Sequence, residues 1–181
     1  MTIADESNSL LLIIDIQEKL AAALEKDTVV QKAAKLVNAA RILNIPVIVS
    51  EQYPKGLGHT VSAVGKNLPD NTLFFEKSCF SLVKEDGFLE KLKSYGKKQI
   101  IICGIETHIC VHQTAADLID AGFDVIVVKD ACASRNKYEF KQGIEAMQAN
   151  GATISCLEIL LFEWLKTSKH PKFKEVQSLI K

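Results

Sequence analysis

The sequence lacks the features that mark membrane-spanning or nucleic-acid-binding chains. Its 22 Lys and Arg residues balance 22 Asp and Glu residues, so there is no excess positive charge to bind a phosphate backbone. The longest purely aliphatic run, Leu10 to Ile14, is far shorter than the ~20 residues that cross a bilayer. We therefore expect neither a nucleic-acid partner nor a membrane association.

The sequence also lacks a CxxC pair, and its five cysteines are an odd number. Both facts argue against a disulfide framework and against a structural zinc site, and they favour a reducing compartment. The first residues, 1–6, are acidic and contain no apolar segment after a basic one, so we expect no secretory signal or transit peptide. The predicted location is the cytoplasm.

What is present is the composition of an ordinary globular protein, with 48% hydrophobic and 24% charged residues. A chain of 181 residues predicts a single domain spanning 1–181. Six short apolar runs rich in β-branched residues recur along it: Leu10–Ile14, Val47–Val49, Leu73–Phe75, Ile100–Cys103, Val125–Val128 and Thr153–Cys156. Because the runs do not alternate with polar residues, they predict strands of a sheet that is covered on both faces.

Helical apolar stripes lie between these runs, for example Phe140, Ile144 and Met147. Alternating strands and helices predict an α/β fold with three layers, a doubly wound (Rossmann-like) and mostly parallel six-stranded sheet. The least regular stretch, 51–70, predicts a long loop of functional importance.

Ligands of such sheets bind beyond the carboxyl ends of the strands, so the residues there are the candidates for function. They are Asp15 and Gln17, Ser50–Gln52, Glu76–Lys77, Gly104–Thr107 and Lys129–Asp130, with Cys110 in the helix after the fourth strand. Each of the three reactive groups has an alternative, structural interpretation. Asp15 could cap the next helix, Lys77 could be a solvated lysine, and Cys110 could be a small buried hydrophobic residue.

Their conjunction favours chemistry, since a carboxylate, an ammonium and a thiol would meet at one edge of the sheet. A helix N-terminus and a neighbouring lysine both favour the thiolate, and such settings lower a cysteine pKa from about 8.5 to roughly 3.5–7.5. A nearby carboxylate can accept the thiol proton and return it to a leaving group. The residues therefore predict a cysteine hydrolase without a histidine in its triad.

Three segments resemble the signatures of the isochorismatase-like cysteine hydrolases: Leu11–Gln17, Glu76–Lys77 and Gly104–Val111, with further similarity at Gln113–Ala115 and Asp130–Arg135. The resemblance implies the isochorismatase-like hydrolase fold and a triad of Asp15, Lys77 and Cys110. It also implies a small amide-type or related C–N substrate that is cleaved through a thioester. The 51–58 segment and the 170–174 segment are similar to the isochorismatase domain-containing subgroup, whose substrate is unassigned.

Further site assignments follow from the same resemblance. The oxyanion would be held by the backbone N–H groups of Glu106 and Cys110, and the Ile105–Glu106 peptide would be cis. The substrate pocket would be formed by Gln17, Glu51, Gln52, Tyr53 and Ile105. We expect a small-molecule substrate, no cofactor and assembly into a homo-oligomer.

The resemblance also predicts that this chain is not a nicotinamidase and needs no metal. Family nicotinamidases place an Asp-x-His pair after the second strand, where this sequence reads Ser50–Tyr53. Glu51 and His59 are the residues that could still ligate a metal there, and two ligands are fewer than the three of a catalytic zinc site. His108 and His112 would share a helical face, but no third ligand stands at a suitable spacing.

Two other classes of function stay open. The chain could be an idle binding or scaffolding protein that retains the fold, because fold alone does not fix function. It could also carry out thiol redox chemistry with Cys110 and Cys79. Thiol reactivity separates these possibilities from a hydrolase.

Overall fold

A single parallel sheet organises the chain in the computed structural model, which describes residues 2–24 and 28–181. Its strands are β1 (Ser9–Ile14), β2 (Val47–Gln52), β3 (Leu73–Lys77), β4 (Gln99–Ile105), β5 (Asp124–Ala133) and β6 (Thr153–Ser155). They lie in the order β3-β2-β1-β4-β5-β6, and each adjacent pair is parallel. The predicted doubly wound α/β fold is confirmed, with a sheet that is parallel throughout.

Helices connect the strands and cover the sheet. They are α1 (Glu18–Ala22), α2 (Thr28–Ile42), α3 (Pro54–Leu57), α4 (Ser62–Gly65), α5 (Phe88–Ser94), α6 (His112–Asp120), α7 (Lys137–Ala149), α8 (Leu157–Leu165) and α9 (Phe173–Ser178). Helix α2 contacts α8 and α9, whereas α6 contacts α7. The predicted loop 51–70 contains the short helices α3 and α4. No helix within the described ranges is long and apolar enough to span a bilayer.

Burial follows the position of each strand in the sheet. All six residues of the central strand β1 are buried, as expected for a strand covered on both faces. The edge strand β3 differs from that expectation, because Phe74 and Glu76 are exposed while Lys77 is buried. An edge strand pairs on one side only, and here its alternation turns the Lys77 side chain inward.

The chain reverses its direction of winding at β1, which lies between β2 and β4. Such a switch point opens a crevice beyond the carboxyl ends of the strands. The two central strands approach closely here, since a Cβ on Gly104 (φ 149°) would lie 2.1 Å from the backbone oxygen of Ile14. The switch point therefore requires glycine at this position of β4.

Strand β5 is longer than predicted, so the assignment of Lys129–Asp130 to its carboxyl end is wrong. The pairing with β4 is irregular between Ile102 and Gly104, and the strand continues to Ala133. Asp130 instead forms a salt bridge with Lys32 (3.0 Å) and accepts a hydrogen bond from the Leu157 N–H (2.8 Å). The residue that β5 delivers to the crevice is Arg135.

Candidate active site

Asp15 follows the last residue of β1 and is completely buried. Its φ of 50° is in the left-handed region, and its N–H donates to the backbone oxygen of Ser50 at 3.2 Å. The Ser50 hydroxyl in turn donates to Asp15 Oδ1 at 2.6 Å. Strand β2 thus fixes both the backbone and the carboxylate of Asp15, which holds the backbone in an uncommon conformation.

Lys77, the last residue of β3, points its ammonium group at this carboxylate. Its Nζ lies 2.7 Å from Asp15 Oδ2, and both side chains are inaccessible to solvent. It also donates to Gln52 Oε1 (2.5 Å) and to the backbone oxygens of Cys79 (3.2 Å) and Phe80 (3.1 Å). These oxygens replace the water that the ammonium loses on burial, and they fix its position.

Cys110 lies in a π-helical turn, Thr107–Val111, that connects β4 to α6. The Asp15 and Lys77 side chains are near enough to its thiol to shift its pKa, which is raised to about 12. Burial is the largest cause, the Asp15 charge adds to it, and the Lys77 charge opposes it. The expectation of a lowered pKa is therefore wrong, because burial and the adjacent carboxylate outweigh the ammonium. The resting thiol is neutral, and the Asp15–Lys77 salt bridge lies beside it.

A cavity of about 330 Å³ opens above Cys110. Its wall is formed by Leu20, Ala23, Gln52, Leu57, Phe80, Glu106, Ile109, Cys110 and Arg135. The Arg135 Nε donates to Glu106 Oε1 at 2.7 Å, and the Arg135 backbone N–H approaches the same oxygen at 3.3 Å. The wall is thus largely apolar, with one ion pair and one amide.

Only some of the predicted pocket residues lie in the cavity wall. Gln52 lines the cavity, whereas Gln17, Glu51 and Ile105 are buried and do not belong to its wall. Gln17 instead pairs with the Gln52 backbone, through its Oε1 (2.7 Å) and its Nε2 (3.0 Å). Tyr53 is 63% exposed and borders a separate groove.

Six residues of the wall were not predicted as pocket residues: Leu20, Ala23, Leu57, Phe80, Ile109 and Arg135. Some of them carry a signal in the sequence. Leu20 belongs to the first turn after Gln17, and Ile109 directly precedes Cys110. Arg135 is the charged residue that follows the fifth strand, so a correct end of β5 would have revealed it.

The backbone at the end of β4 agrees with the prediction. The Ile105–Glu106 peptide bond is cis, as the resemblance implied. Glu106 is buried and its carboxylate faces the cavity beside Arg135. The backbone N–H groups of Glu106 and Cys110 belong to the segment that follows β4, four residues apart in the sequence.

The histidines occupy separate environments rather than a shared site. His108 Nδ1 is 2.9 Å from Ser134 Oγ, while His112 Nδ1 is buried and has no hydrogen-bond partner among the described residues. Glu51 Oε2 contacts His59 Nδ1 at 3.0 Å, and Glu51 Oε1 accepts from the Thr60 N–H at 2.6 Å. Within 2–24 and 28–181, no three His, Cys, Asp or Glu side chains are grouped so that they could hold a metal ion.

Comparisons with known proteins agree with the fold. Isochorismatase domain-containing protein 2 of Xenopus laevis is 39% identical over 176 residues, 97% of this chain and 84% of that protein. The structure of the MAR1 ribonuclease from Caenorhabditis elegans is 40% identical, has a TM-score of 0.94, and is matched over 99% of this chain and 92% of that one. YcaC of Escherichia coli, an octameric hydrolase of unknown specificity, shares the fold at 23% identity, with a TM-score of 0.88 and coverage of 99% and 95%.

The family model for the isochorismatase domain matches residues 9–159, which run from the start of β1 into α8. This range contains every residue of the cavity wall and the buried ion pair below it. The chain belongs to the isochorismatase domain family.

Proposed function

We propose that this chain is a cysteine hydrolase that cleaves a small amide-type or related C–N substrate through a thioester. The observation that carries the proposal is the position of the Cys110 thiol. It lines the cavity, and the completely buried Asp15–Lys77 ion pair is near enough to act on the pKa of the thiol. A nucleophile, a proton acceptor and a fixed cation are the groups that acyl transfer requires.

In the proposed mechanism, Asp15 accepts the first proton, and the raised thiol pKa supports this order. Free thiolate is scarce at neutral pH when the pKa is about 12, so the proton leaves as the sulfur attacks. The proton moves from Cys110 Sγ to Asp15 Oδ2, and the Sγ–C bond forms at the substrate carbonyl. Oδ2 is the oxygen assigned this role because Oδ1 accepts from the Ser50 hydroxyl, while Oδ2 faces Lys77 Nζ at 2.7 Å.

The intermediate then collapses and the C–N bond breaks. Protonated Asp15 returns its proton to the departing nitrogen, which leaves a thioester on Cys110 and an amine or ammonia. Water attacks the thioester with Asp15 again as the proton acceptor, and the acid product leaves as the thiol is restored. Throughout, Lys77 stabilises whichever negative charge is present on the carboxylate or the sulfur.

The oxyanion in this proposal is held by the backbone N–H groups of Glu106 and Cys110. Loss of one such donor typically costs about 10²–10³ in rate. The apolar wall of the cavity would receive the carbon skeleton of the substrate, and Gln52, which lines the cavity, accepts a hydrogen bond from the buried Lys77.

Chemical trapping tests the proposal. We expect a panel of small amides to leave an acyl adduct on Cys110 that intact-protein mass spectrometry detects, and Cys110→Ala to abolish both adduct and turnover. Cys156→Ala, which alters a partly exposed cysteine outside the cavity, is the matched control. Turnover by Cys110→Ala would refute the mechanism, and a panel that yields neither adduct nor product would favour the idle binding protein.

Two further measurements test for thiol redox chemistry and for RNA cleavage. A Cys110–Cys79 disulfide under mild oxidant would favour the redox interpretation. Single-stranded RNA is included because the Caenorhabditis elegans relative is called a ribonuclease. RNA cleavage that survives Cys110→Ala would point to a different site from the one proposed.

Assembly into a homo-oligomer belongs to the same proposal. Helix α8 buries Trp164, whose indole N–H donates to Ser9 Oγ at 3.0 Å, but leaves Ile159 and Phe162 half exposed. Light scattering coupled to gel filtration tests this, and a strictly monomeric chain would contradict it.

A further inference from the structure

The charged residues in the described part of the cavity wall are a single pair, Glu106 and Arg135. The pair is directly bonded, since Arg135 Nε donates to Glu106 Oε1 at 2.7 Å. A second opposite pair, Asp15 and Lys77, lies below the wall. The charges of each pair cancel, so these four groups together give the space above Cys110 no net charge.

The two members of the wall pair differ in exposure. The Glu106 side chain is 6% exposed and the Arg135 side chain is 65% exposed. An anionic group that enters the cavity therefore approaches a buried, poorly screened carboxylate, and the guanidinium that could attract it is already bonded to that carboxylate. A cationic group meets Arg135 at the surface. Both kinds of charged ligand lose solvation without gaining a free counter-ion.

We propose that the Glu106–Arg135 pair makes the cavity selective for uncharged molecules, so that the substrates are small neutral amides with an apolar acyl part. This inference depends on the proposed function for the reaction that the substrate undergoes, but the selection itself concerns access to the Cys110 thiol. The remaining wall fits such a molecule, because its other side chains are aliphatic or aromatic apart from the Gln52 amide and the thiol.

Removing the charge of one member of the pair leaves the charge of the other uncompensated. Glu106→Gln keeps an oxygen that can accept from Arg135 but leaves the guanidinium charge uncompensated. Arg135→Gln leaves the Glu106 carboxylate uncompensated. Charges that are separated by several ångströms at a partly solvated site change a rate by about three- to tenfold.

Two alkylating probes of nearly equal size test the proposal on the intact protein. Iodoacetamide is neutral and iodoacetate is anionic, and with either probe a Cys110 Sγ–C bond forms as iodide leaves. The measurement is the ratio of the two labelling rates at Cys110, taken from peptide mass spectrometry at about pH 8, where an ordinary imidazole is uncharged. A change in the thiol pKa affects both rates equally, so it cancels in the ratio.

We expect the wild-type protein to favour iodoacetamide over iodoacetate more strongly than free glutathione does. Glu106→Gln should shift the ratio toward iodoacetate by about three- to tenfold, and Arg135→Gln should shift it further toward iodoacetamide. Lys137→Gln is the matched control for lost positive charge, since Lys137 borders a neighbouring groove of about 160 Å³ with Arg135 but not the cavity. Glu145→Gln, on the exposed face of α7, is the control for lost negative charge.

Ratios that stay within about twofold of wild type in both cavity variants, or that shift in the same direction, would overturn the proposal. Arg135 is mostly exposed, so Arg135→Gln remains informative even if Glu106→Gln does not fold. A parallel assay with neutral, carboxylate-bearing and ammonium-bearing amides separates the two proposals. If no amide is cleaved but the labelling ratios shift as expected, the hydrolase proposal fails and the charge selection stands.

Discussion

Gly143 of α7 packs directly against the backbone of His108, in the turn that carries Cys110. A Cβ at position 143 would lie 2.8 Å from His108 Cα and 2.9 Å from its backbone nitrogen. We expect Gly143→Ala to lower the free energy of unfolding by about 1–3 kcal/mol, since the helix or the turn must move. Gly65→Ala is the control, because the space around Gly65 is open. Urea denaturation measures both, and a Gly143→Ala protein as stable as wild type would contradict the contact.

Asp15→Asn separates thiol reactivity from turnover. The Asp15 charge raises the Cys110 pKa and Lys77 lowers it, so removing the carboxylate charge should lower that pKa from about 12. More thiolate is then present at about pH 8, and each unit of pKa gives about tenfold faster iodoacetamide labelling. Hydrolysis should nevertheless fall by about 10²–10⁴, because the proton acceptor is lost. Asp120→Asn, on the surface of α6, should change neither rate, and slower labelling of Asp15→Asn would contradict the assignment.

Lys77→Met tests the energetic coupling of the buried pair. Both side chains are inaccessible to solvent, so the variant leaves the Asp15 carboxylate without its cation, which costs about 3–5 kcal/mol of stability. The double variant Asp15→Asn/Lys77→Met should recover most of that loss but no activity. Lys93→Met, at an exposed position of α5, should be near neutral. A double variant that is less stable than Lys77→Met would contradict the coupling.

Glu85 and Lys77 both bind the loop that follows β3. Its Oε1 accepts from the backbone N–H groups of Ser78 and Cys79, both at 2.7 Å, and these bonds lower the Glu85 pKa. The same loop presents the Cys79 and Phe80 oxygens to Lys77. We expect Glu85→Ala to reduce kcat/KM by about tenfold and Glu85→Gln to reduce it less, at about 1 kcal/mol per lost hydrogen bond. Glu90→Ala on α5 is the control.

The pH dependence of this contact has a definite sign. Because the folded pKa of Glu85 lies below 4.5, its contribution to stability is complete above that pH and is lost as the pH falls through the folded value. Thermal melts of wild type and Glu85→Gln should therefore converge in acid. Curves that diverge as the pH falls would contradict the role of the carboxylate.

The metal prediction is tested by chelation. Both Glu51 oxygens are engaged, one by Thr60 and the other by His59, and the nicotinamidase pair is missing from Ser50–Tyr53. We expect amide hydrolysis to survive chelator treatment and nicotinamide to be a poor substrate. Stoichiometric zinc or iron, together with chelator-sensitive nicotinamide hydrolysis, would show that this prediction is wrong.

The sequence was most informative where one physical rule acts alone. The apolar runs predicted the strands because burial on both faces leaves no alternation of apolar and polar residues. The edge strand β3 departs from this pattern because it is not buried on both faces. The reactive groups were found from their places at strand ends. Their electrostatics were not, since the Cys110 pKa depends on a competition between burial and two opposite charges that only the distances resolve.

The cavity wall was the least predictable part of the site. Gln17 follows the first strand closely in the sequence, which predicts a place in the crevice. Its side-chain amide instead forms hydrogen bonds with the Gln52 backbone. Leu57 and Phe80 reach the cavity because α3 and the loop after β3 fold over it, which no local pattern encodes. Arg135 was missed because the irregular pairing of β5 displaced the end of the strand.

The order of strands in the sheet has a consequence for how the molecule acquires its site. Asp15, Gln52, Lys77, Cys110 and Arg135 follow or end five different strands, and the central strand β1 can be flanked only after β2 and β4 have both docked. Because these pairings join distant parts of the chain, their loop closures are slow steps in folding. No fragment that stops short of residue 135 contains the whole site. The candidate site is therefore complete only when about three quarters of the chain has been synthesised.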